Sequence, residues 1–476
     1  MKRIFSVMVL AMLVAMNAVA AGKKKPNVLF VFADDQCYKT INTLGNKEIK
    51  TPTLDRMVHE GVTFTHAYNM GAWGGAVCVA SRAMMNTGMT VWNVNREQKN
   101  MNQRVENRQM WSQLMEDAGY ETYMTGKWHV KADANKIFNH ANHIRPGMPN
   151  QTKERYNRNW TPGQDDWSPY DKSKGGFWKG GKHWSEIVAD DAISYIEDAA
   201  KKDKPFFAYV AFNAPHDPRQ SPKKYVDMYP LENISVPVSF LPEYPYKDEM
   251  GCPKTLRDEK LAPFPRTEYS IKVNRQEYYA IITHLDDQLA RILDALEKSG
   301  EKDNTYIFYS ADHGLSVGHH GLVGKQSLYD HSMRPPMIVI GPDLPKDKKL
   351  DMDVYLQDIM ASALDLAGVE KPAYVEFNSL MPLARGKQKK GNYDAIYGGY
   401  RNLQRMVRKD NFKLILYPEA KKVLLFDLKK DPEEMKDLSD VKKYQSLKKK
   451  LFKELLELQK QMNDEVDLKA VYPELI

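Results

Sequence analysis

Hydrophobic positions along the chain fall into two alternating patterns. Short, unbroken apolar runs occur at Asn27–Ala33 (NVLFVFA), 206–212 (FFAYVAF) and 305–310 (TYIFYS), with a weaker run at 122–125. Met337–Ile340 adds a brief run that fits an edge strand. Runs of this length without polar alternation mark strands buried on both faces, as in parallel sheets. Between them, apolar residues recur at helical spacing over 53–60, 81–86, 108–118, 185–200 and 275–298. The alternation predicts an α/β domain with helices on both faces of the sheet. Residues 138–183 and 229–268, rich in Asn, Trp, Pro, Gly and Lys, break the rhythm and read as long loops around a binding site. Beyond residue 385 the character changes. "RMVRKDNFKLILY" and "VLLFDLKKDPEEMKDLS" suggest antiparallel strands with a turn, and "VKKYQSLKKKLFKELLELQKQ" an amphipathic helix. The expected organisation is a main domain over 22–385 and a smaller subdomain over 386–476, without internal repeats.

The first 21 residues stand apart. Lys2 and Arg3 precede a nearly unbroken apolar run from residue 4 to 16, and Ala18-Val19-Ala20 fits a small-x-small cleavage pattern. This predicts a secretory signal peptide over 1–21 and a periplasmic or secreted protein. The run is short for a membrane span and polar GKKKPN follows it, so no stable membrane insertion is expected. The formal net charge of +7 falls to +5 without Lys2 and Arg3. A mild positive balance suits acidic substrates. Much of it lies in the tail helix, as a solvated basic face rather than a nucleic-acid surface. Three cysteines remain, Cys37, Cys78 and Cys252. An odd number leaves at least one unpaired within the chain, which is unusual after export. Cys37 and Cys252 are available to pair, but nothing in the sequence requires it.

In open α/β sheets, ligands bind beyond the carboxyl ends of the strands. Asp34-Asp35 follow the first apolar run, Gly126-Lys127-Trp128-His129 the weak one, Asn213-Ala214-Pro215-His216 the third and Asp312-His313-Gly314 the fourth. An isolated Asp-Asp pair is commonly a turn or a helix cap. Three acids brought together at strand ends instead call for a hard divalent cation, Ca2+ or Mg2+. Lys127, His129, His216 and Lys325, the last within "GLVGKQSLYDHS", form a prospective cationic ring. Such a ring would hold an oxyanion, and a histidine in it could protonate a departing oxygen. "VCVASRAMMNTG" opens a helix whose N-terminus favours anions and lowers a thiol pKa. Cys78 there is a buried structural thiol, a nucleophile or a precursor of something else.

These residues carry a resemblance. "CVASRAMMNTG" resembles the signature of the type I sulfatases, C-x-P/A-S-R followed by T-G. "NVLFVFADD", "GKWH", "APHDP", "SADHG" and "GKQSLYD" resemble that family's other blocks, in the same order and across nearly the whole chain. The resemblance implies the alkaline-phosphatase-like fold: an α/β/α sandwich with a smaller C-terminal antiparallel-sheet subdomain and helix. It also implies that Cys78 is oxidised to formylglycine by a maturase acting on the chain. One hydroxyl of the hydrated aldehyde attacks sulfur, and loss of a proton from the other expels sulfate. The resemblance gives Asp34, Asp35, Asp312 and His313, with residue 78, as ligands of Ca2+. Arg82 would hold the formylglycine, Lys127 the sulfate, and His129 would orient or deprotonate the diol. His216 and Lys325 would contact the sulfate ester, with His216 as acid to the leaving group.

Ala80 stands where the commoner pattern has Pro, which implies an oxygen-independent, radical-type maturase and an anaerobic bacterium. The implied reaction is hydrolysis of sulfate esters on a sulfated carbohydrate. Trp160, Trp167, Trp178 and Trp184 are candidate sugar-stacking faces, with core packing as the alternative. "MGAWGGAVC" and "TGMTVW" loosely resemble enzymes of galactose- or N-acetylgalactosamine-type glycans. Two other readings stand beside it: a phosphodiesterase or phosphonate hydrolase of the same superfamily, and a non-catalytic sulfoglycan-binding protein.

Overall fold

The computed structural model describes residues 25–148, 153–156 and 158–476, so the signal-peptide candidate lies outside the described residues. The main sheet has eight strands. In chain order they are β1 (Asn27–Ala33), β2 (Val62–Tyr68), β4 (Glu121–Lys127), β5 (His140–Arg145), β6 (Phe206–Ala211), β7 (Thr305–Ala311), β8 (Met337–Ile340) and β9 (Lys348–Tyr355). Between β2 and β4 lies β3 (Gly71–Ala72), which belongs to a second sheet. The spatial order of the main sheet is β5-β4-β6-β1-β7-β8-β2-β9. Its strands are parallel except β8, which runs antiparallel to both β7 and β2.

The alternation along β1 divides two cores. Leu29 and Val31 face a cluster with Leu54, Val188, Ile196, Ile281 and Leu289. These come from helices α1 (Pro52–Glu60), α4 (Trp184–Ala199) and α5 (Glu268–Lys298). Phe30 and Phe32 face the opposite cluster with Met84, Met115 and Met360, from α2 (Val77–Thr87), α3 (Trp111–Asp117) and α6 (Asp358–Ala367). The layering expected from the apolar runs is therefore present, with helices on both faces.

Several local expectations need correction. Met337–Ile340 is an interior strand, because β2 and β9 lie outside it. Those two escaped notice because Thr63, Thr65 and His66 interrupt the apolar run of β2, and β9 is charged where it borders solvent. The weak run at 122–125 is part of a full strand. Its threonines are buried at no cost in hydrogen bonds: Thr122 Oγ1 donates to Asn139 Oδ1 at 2.9 Å and Thr125 Oγ1 to Asp191 Oδ2 at 2.6 Å. The loop expected at 138–183 opens with β5, a polar strand at the sheet edge. Helix α5 begins seven residues before the predicted start at 275. Buried Asn274 and Glu277 blur its apolar period by facing Arg155 and Arg158. Cys37, Cys78 and Cys252 are all free, so Cys37 and Cys252 do not pair. No helix among the described residues is long and apolar enough to cross a membrane.

The second sheet has the order β13-β12-β11-β10-β3, where β10 to β13 are Ile396–Tyr400, Gln404–Lys409, Phe412–Tyr417 and Lys422–Asp427. Helix α7 (Gln445–Gln461) buries Leu451, Phe452 and Leu455. The sheet is antiparallel except where β10 pairs with β3, through Gly399 with Gly71 and Tyr400 with Ala72. This pairing holds the segment that leads into α2. Gly71 has φ +101°, and a Cβ there would lie 1.9 Å from the Gly399 carbonyl oxygen. Gly71→Ala is therefore expected to cost at least about 2 kcal/mol through clash and backbone strain. Gly45→Ala, at φ +121° but with nothing within 4 Å of the new methyl, is the control and should lose less. Urea unfolding of the two variants makes the comparison.

Candidate active site

β4, β6, β1 and β7 are neighbours in the sheet, so the residues at their carboxyl ends form one row. Lys127 ends β4, His216 follows β6, Asp34 and Asp35 follow β1, and Asp312 and His313 follow β7. Gly126, at φ +88°, lies at an irregularity in the β4–β5 register just before Lys127. A Cβ there would lie 1.9 Å from the Ala211 carbonyl oxygen of β6, so only glycine lets the strands keep this spacing. Helix α2 meets the row with its N-terminal turn, where Cys78 is 3% exposed. All ten residues that the sequence put forward as catalytic, sulfate-binding or metal-ligating come together here.

Arg82 is fully buried and organises the cluster. Its Nε donates to Asp312 Oδ2 at 3.0 Å, one terminal nitrogen donates to the Lys127 carbonyl at 2.7 Å, and its plane lies 4.8 Å from the Phe32 ring. Lys127 pairs with Asp34, and Lys325 Nζ donates to Asp35 at 2.8 and 3.0 Å. His313 Nε2 lies 3.3 Å from Asp35 Oδ1 and 3.4 Å from Asp312 Oδ1. Cys78 Sγ is 3.3 Å from His129 Nδ1. His216 Nδ1 donates to the Asp217 carbonyl at 2.8 Å, and its Nε2 lies 3.8 Å from Asp35 Oδ2.

Charge compensation sets the ionisation of these groups. Burial pushes the Cys78 thiol up, but Lys127, His129, His313 and Lys325 hold it well below the ordinary thiol range. Burial likewise raises Asp34, and Lys127 with its cationic neighbours brings it well below the usual carboxylate value. Burial disfavours the ammonium of Lys127 and of Lys325, yet Asp34 and Asp35 respectively keep both charged. Burial also opposes the His313 imidazolium, and Asp312 and Asp35 lift it to about 9.

The residues fit a divalent cation. Asp34, Cys78, Asp312 and His313 place ligand atoms within 4.8 Å of one another, as do Asp34, Asp35 and His216. Asp34 Oδ1 and His313 Nε2 are buried without a hydrogen-bond partner, so the cluster holds uncommitted donor atoms where a cation would take them. Cys78, Lys127, His129, His216 and Lys325 line a cavity of about 560 Å³. Met148, Tyr156, Leu256, Arg257, Asp258 and Gln326 form much of the rest.

Sequence reading missed those six. Gln326 stood beside Lys325 in a noted block, but Tyr156, Arg257 and Asp258 lie in the two segments without periodicity and carry no motif. The tryptophans are corrected as well. Trp167, Trp178 and Trp184 are only 6%, 5% and 6% exposed, and none of the four candidates lines the cavity. Packing explains them: the Trp178 indole donates to the Pro169 carbonyl at 3.1 Å, and Arg145 covers the Trp184 ring at 3.9 Å. Trp160 lies under Arg158, 4.3 Å from its guanidinium.

A mostly parallel sheet with one row of acids, lysines and histidines at its strand ends, backed by a small, mostly antiparallel sheet, is the alkaline-phosphatase-like fold that the sequence resemblance implied. The sulfatase family model matches residues 26–369, so the chain belongs to the sulfatases and is a sulfuric ester hydrolase. A model for the C-terminal part of N-sulphoglucosamine sulphohydrolase matches residues 318–461. The N-acetylglucosamine-6-O-sulfatase of Bacteroides thetaiotaomicron is 26% identical over 93% of this chain and 87% of its own. The arylsulfatase of Clostridium perfringens is 28% identical over 90% of this chain and 94% of its own. Among solved structures, one in complex with its substrate D-glucosamine-2-N,6-O-disulfate superposes with TM-score 0.71 at 23% identity, covering 94% of this chain and 100% of that one. The phosphonate monoester hydrolase of Agrobacterium radiobacter gives 0.69 at 21% identity, covering 92% and 96%. These structures share the fold.

Removing Arg82 leaves Asp312 and Asp34 buried against a lost cation. Arg82→Met is expected to destabilise the protein by about 3–5 kcal/mol. Arg82→Lys should recover only part of this, since one ammonium cannot reproduce the guanidinium's two directed bonds. Chemical denaturation of both variants checks the order.

Proposed function

We propose that the protein releases sulfate from a sulfated glycan, using formylglycine formed from Cys78. The observation that carries this reading is the placement of Cys78 with His129, Lys127 and Lys325 in the wall of a cavity large enough for a sugar. The names of the relatives, an N-acetylglucosamine-6-O-sulfatase among them, support a hexosamine glycan ahead of a galactose type. The blocks shared with type I sulfatases support the formylglycine. The first 21 residues support export to the periplasm or beyond, and Ala80 supports an oxygen-independent maturase as partner.

Lys127 and Lys325 are the ammonium groups nearest the nucleophile and hold the sulfate oxygens. Arg82 fixes residue 78 from below through the α2 backbone and Asp312. His129 Nδ1 is placed to take a proton from the group at position 78. His216 spends Nδ1 on the Asp217 carbonyl, so any proton it delivers to the leaving oxygen comes from Nε2. Asp34, Asp35, Asp312, His313 and residue 78 would hold Ca2+, whose chemistry is to polarise a sulfate oxygen and stabilise a deprotonated oxygen at position 78.

Mass spectrometry of the Cys78 peptide tests the reading directly. Protein from a host with a radical-type maturase should show the mass change of CH2SH to CHO at Cys78, and sulfate release should scale with its extent. Unconverted Cys78 in fully active protein overturns it. Cys78→Ala should abolish release. His216→Ala should slow release from sugar sulfates by about 10²–10⁴-fold and affect para-nitrophenyl sulfate far less, because nitrophenolate leaves without a proton. The phosphonate hydrolase among the structural neighbours makes phosphonate monoesters the second panel. Faster turnover there than on every sulfate ester would favour that reading.

A further inference from the structure

Beside the residues assigned to the sulfate, the cavity lining carries a further polar pair, Arg257 and Asp258. The Arg257 side chain is 49% exposed. One edge of its guanidinium is committed: Nε donates to Asp258 Oδ1 at 2.8 Å, and one terminal nitrogen lies 2.6 Å from the same oxygen and 3.6 Å from Asp217 Oδ1. The other terminal nitrogen has no partner among the described residues. Asp258 is buried and held from its other side, where Gln326 Nε2 donates to Oδ2 at 2.7 Å. Gln326 also donates to the Gly75 carbonyl at 2.9 Å, in the turn before α2. The pair is thus rigidly referenced to the nucleophile helix, as a substrate-reading site requires.

The charges decide what this pair reads. Burial raises Asp258, but Lys325 and Arg257 hold it below the usual carboxylate value. Asp217 is held low in the same way, by His216 and Arg257 against its burial. Two ionised carboxylates then face one guanidinium, so a second anionic substituent on the substrate gains little here. Neutral sugar oxygens fit: a hydroxyl can accept from the free Arg257 nitrogen and donate to Asp258. Met148, Tyr156 and Leu256 supply apolar surface for the ring beside it.

We propose that Arg257 and Asp258 form a specificity-determining pair that reads neighbouring uncharged hydroxyls of the sulfated sugar. This rests on the glycan reading above. The probes are N-acetylglucosamine carrying one 6-O-sulfate, its analogues each lacking one ring hydroxyl, and its counterpart with N-sulfate in place of N-acetyl. Para-nitrophenyl sulfate reports the chemical step alone. For the wild type, kcat/KM should fall about 10- to 100-fold for one deoxy analogue. Arg257→Ala should collapse that ratio to near one, because its parent sugar loses what the analogue had already lost. Asp258→Asn keeps the shape but offers Arg257 and Gln326 one acceptor oxygen in place of two; it should weaken the same ratio and covers the case in which Arg257→Ala does not fold.

A ratio unchanged in both variants overturns the proposal. So does a wild-type preference for the N-sulfated sugar that Arg257→Ala removes, since Arg257 would then read an anion. Failure of the glycan reading looks different: the wild type would cleave para-nitrophenyl sulfate and none of the sugars.

Discussion

Burial of charge at the ends of four neighbouring strands is the constraint on which the rest of the structure depends. Asp34, Asp35 and Asp312 are withdrawn from water, and each uncompensated ion would cost several kcal/mol. Compensation comes from Arg82 on α2, Lys127 on β4, Lys325 after β7 and His313 beside Asp312. Arg82 reaches Asp312 and Asp34, and His313 reaches Asp312 and Asp35, but none of these cations alone meets all three carboxylates. The sheet order, the approach of α2 and the loop carrying Lys325 must all be right before the acids can be buried. Two glycines serve this end. Gly126 lets β4 approach β6, and Gly71 lets the C-terminal sheet grip the segment before α2. The site therefore helps specify the fold that builds it.

This explains what was legible in the sequence. Strands buried on both faces showed as apolar runs, and their ends displayed the acids and histidines in order. Arg82 and Lys325 were legible only through their motifs, since a buried arginine and a buried lysine have no periodic signature. The strands that stayed hidden are those whose environment is mixed. β2 carries Thr and His, and β5 and β9 lie at the sheet edges; β4 showed only weakly, because its threonines are buried by bonding to Asn139 and Asp191. Tryptophan left two readings open for a related reason. Its size and polar N–H suit a sugar face and a hydrogen-bonded core equally, and only the partner of the N–H decides. For Trp178 that partner is the Pro169 carbonyl.

The cavity lining around Tyr156 and Arg257 was not legible because it is assembled from segments without regular structure. Tyr156 and Arg257 lie 101 residues apart in the chain. They meet at Asp217, to which the Tyr156 hydroxyl donates and beside which the Arg257 guanidinium sits. Asp217 in turn adjoins His216, with Oδ1 3.1 Å from Nδ1. One carboxylate thus joins both irregular segments to the histidine proposed to protonate the leaving group. Nothing in their composition foretells this, because the information lies in the convergence on Asp217 rather than in either segment.

The position of Cys78 finally separates what the residue is from what its surroundings favour. A buried thiol in apolar surroundings is inert and neutral. Cys252 fits that description: its Sγ donates to the Gln326 carbonyl at 3.2 Å, and burial with Glu259 and Asp258 nearby pushes it well above the ordinary thiol range. Cys78 is equally buried, yet Lys127, His129, His313 and Lys325 surround it and it lies in the first turn of α2, the positive end of the helix dipole. Such a setting stabilises negative charge on the side chain at position 78 whatever atom carries it. An oxygen there would gain the same stabilisation and would be a harder ligand for a cation among carboxylates than sulfur is. The environment thus suits an oxygen nucleophile at least as well as the thiolate of the encoded cysteine, which supports the proposal that residue 78 is modified before it acts.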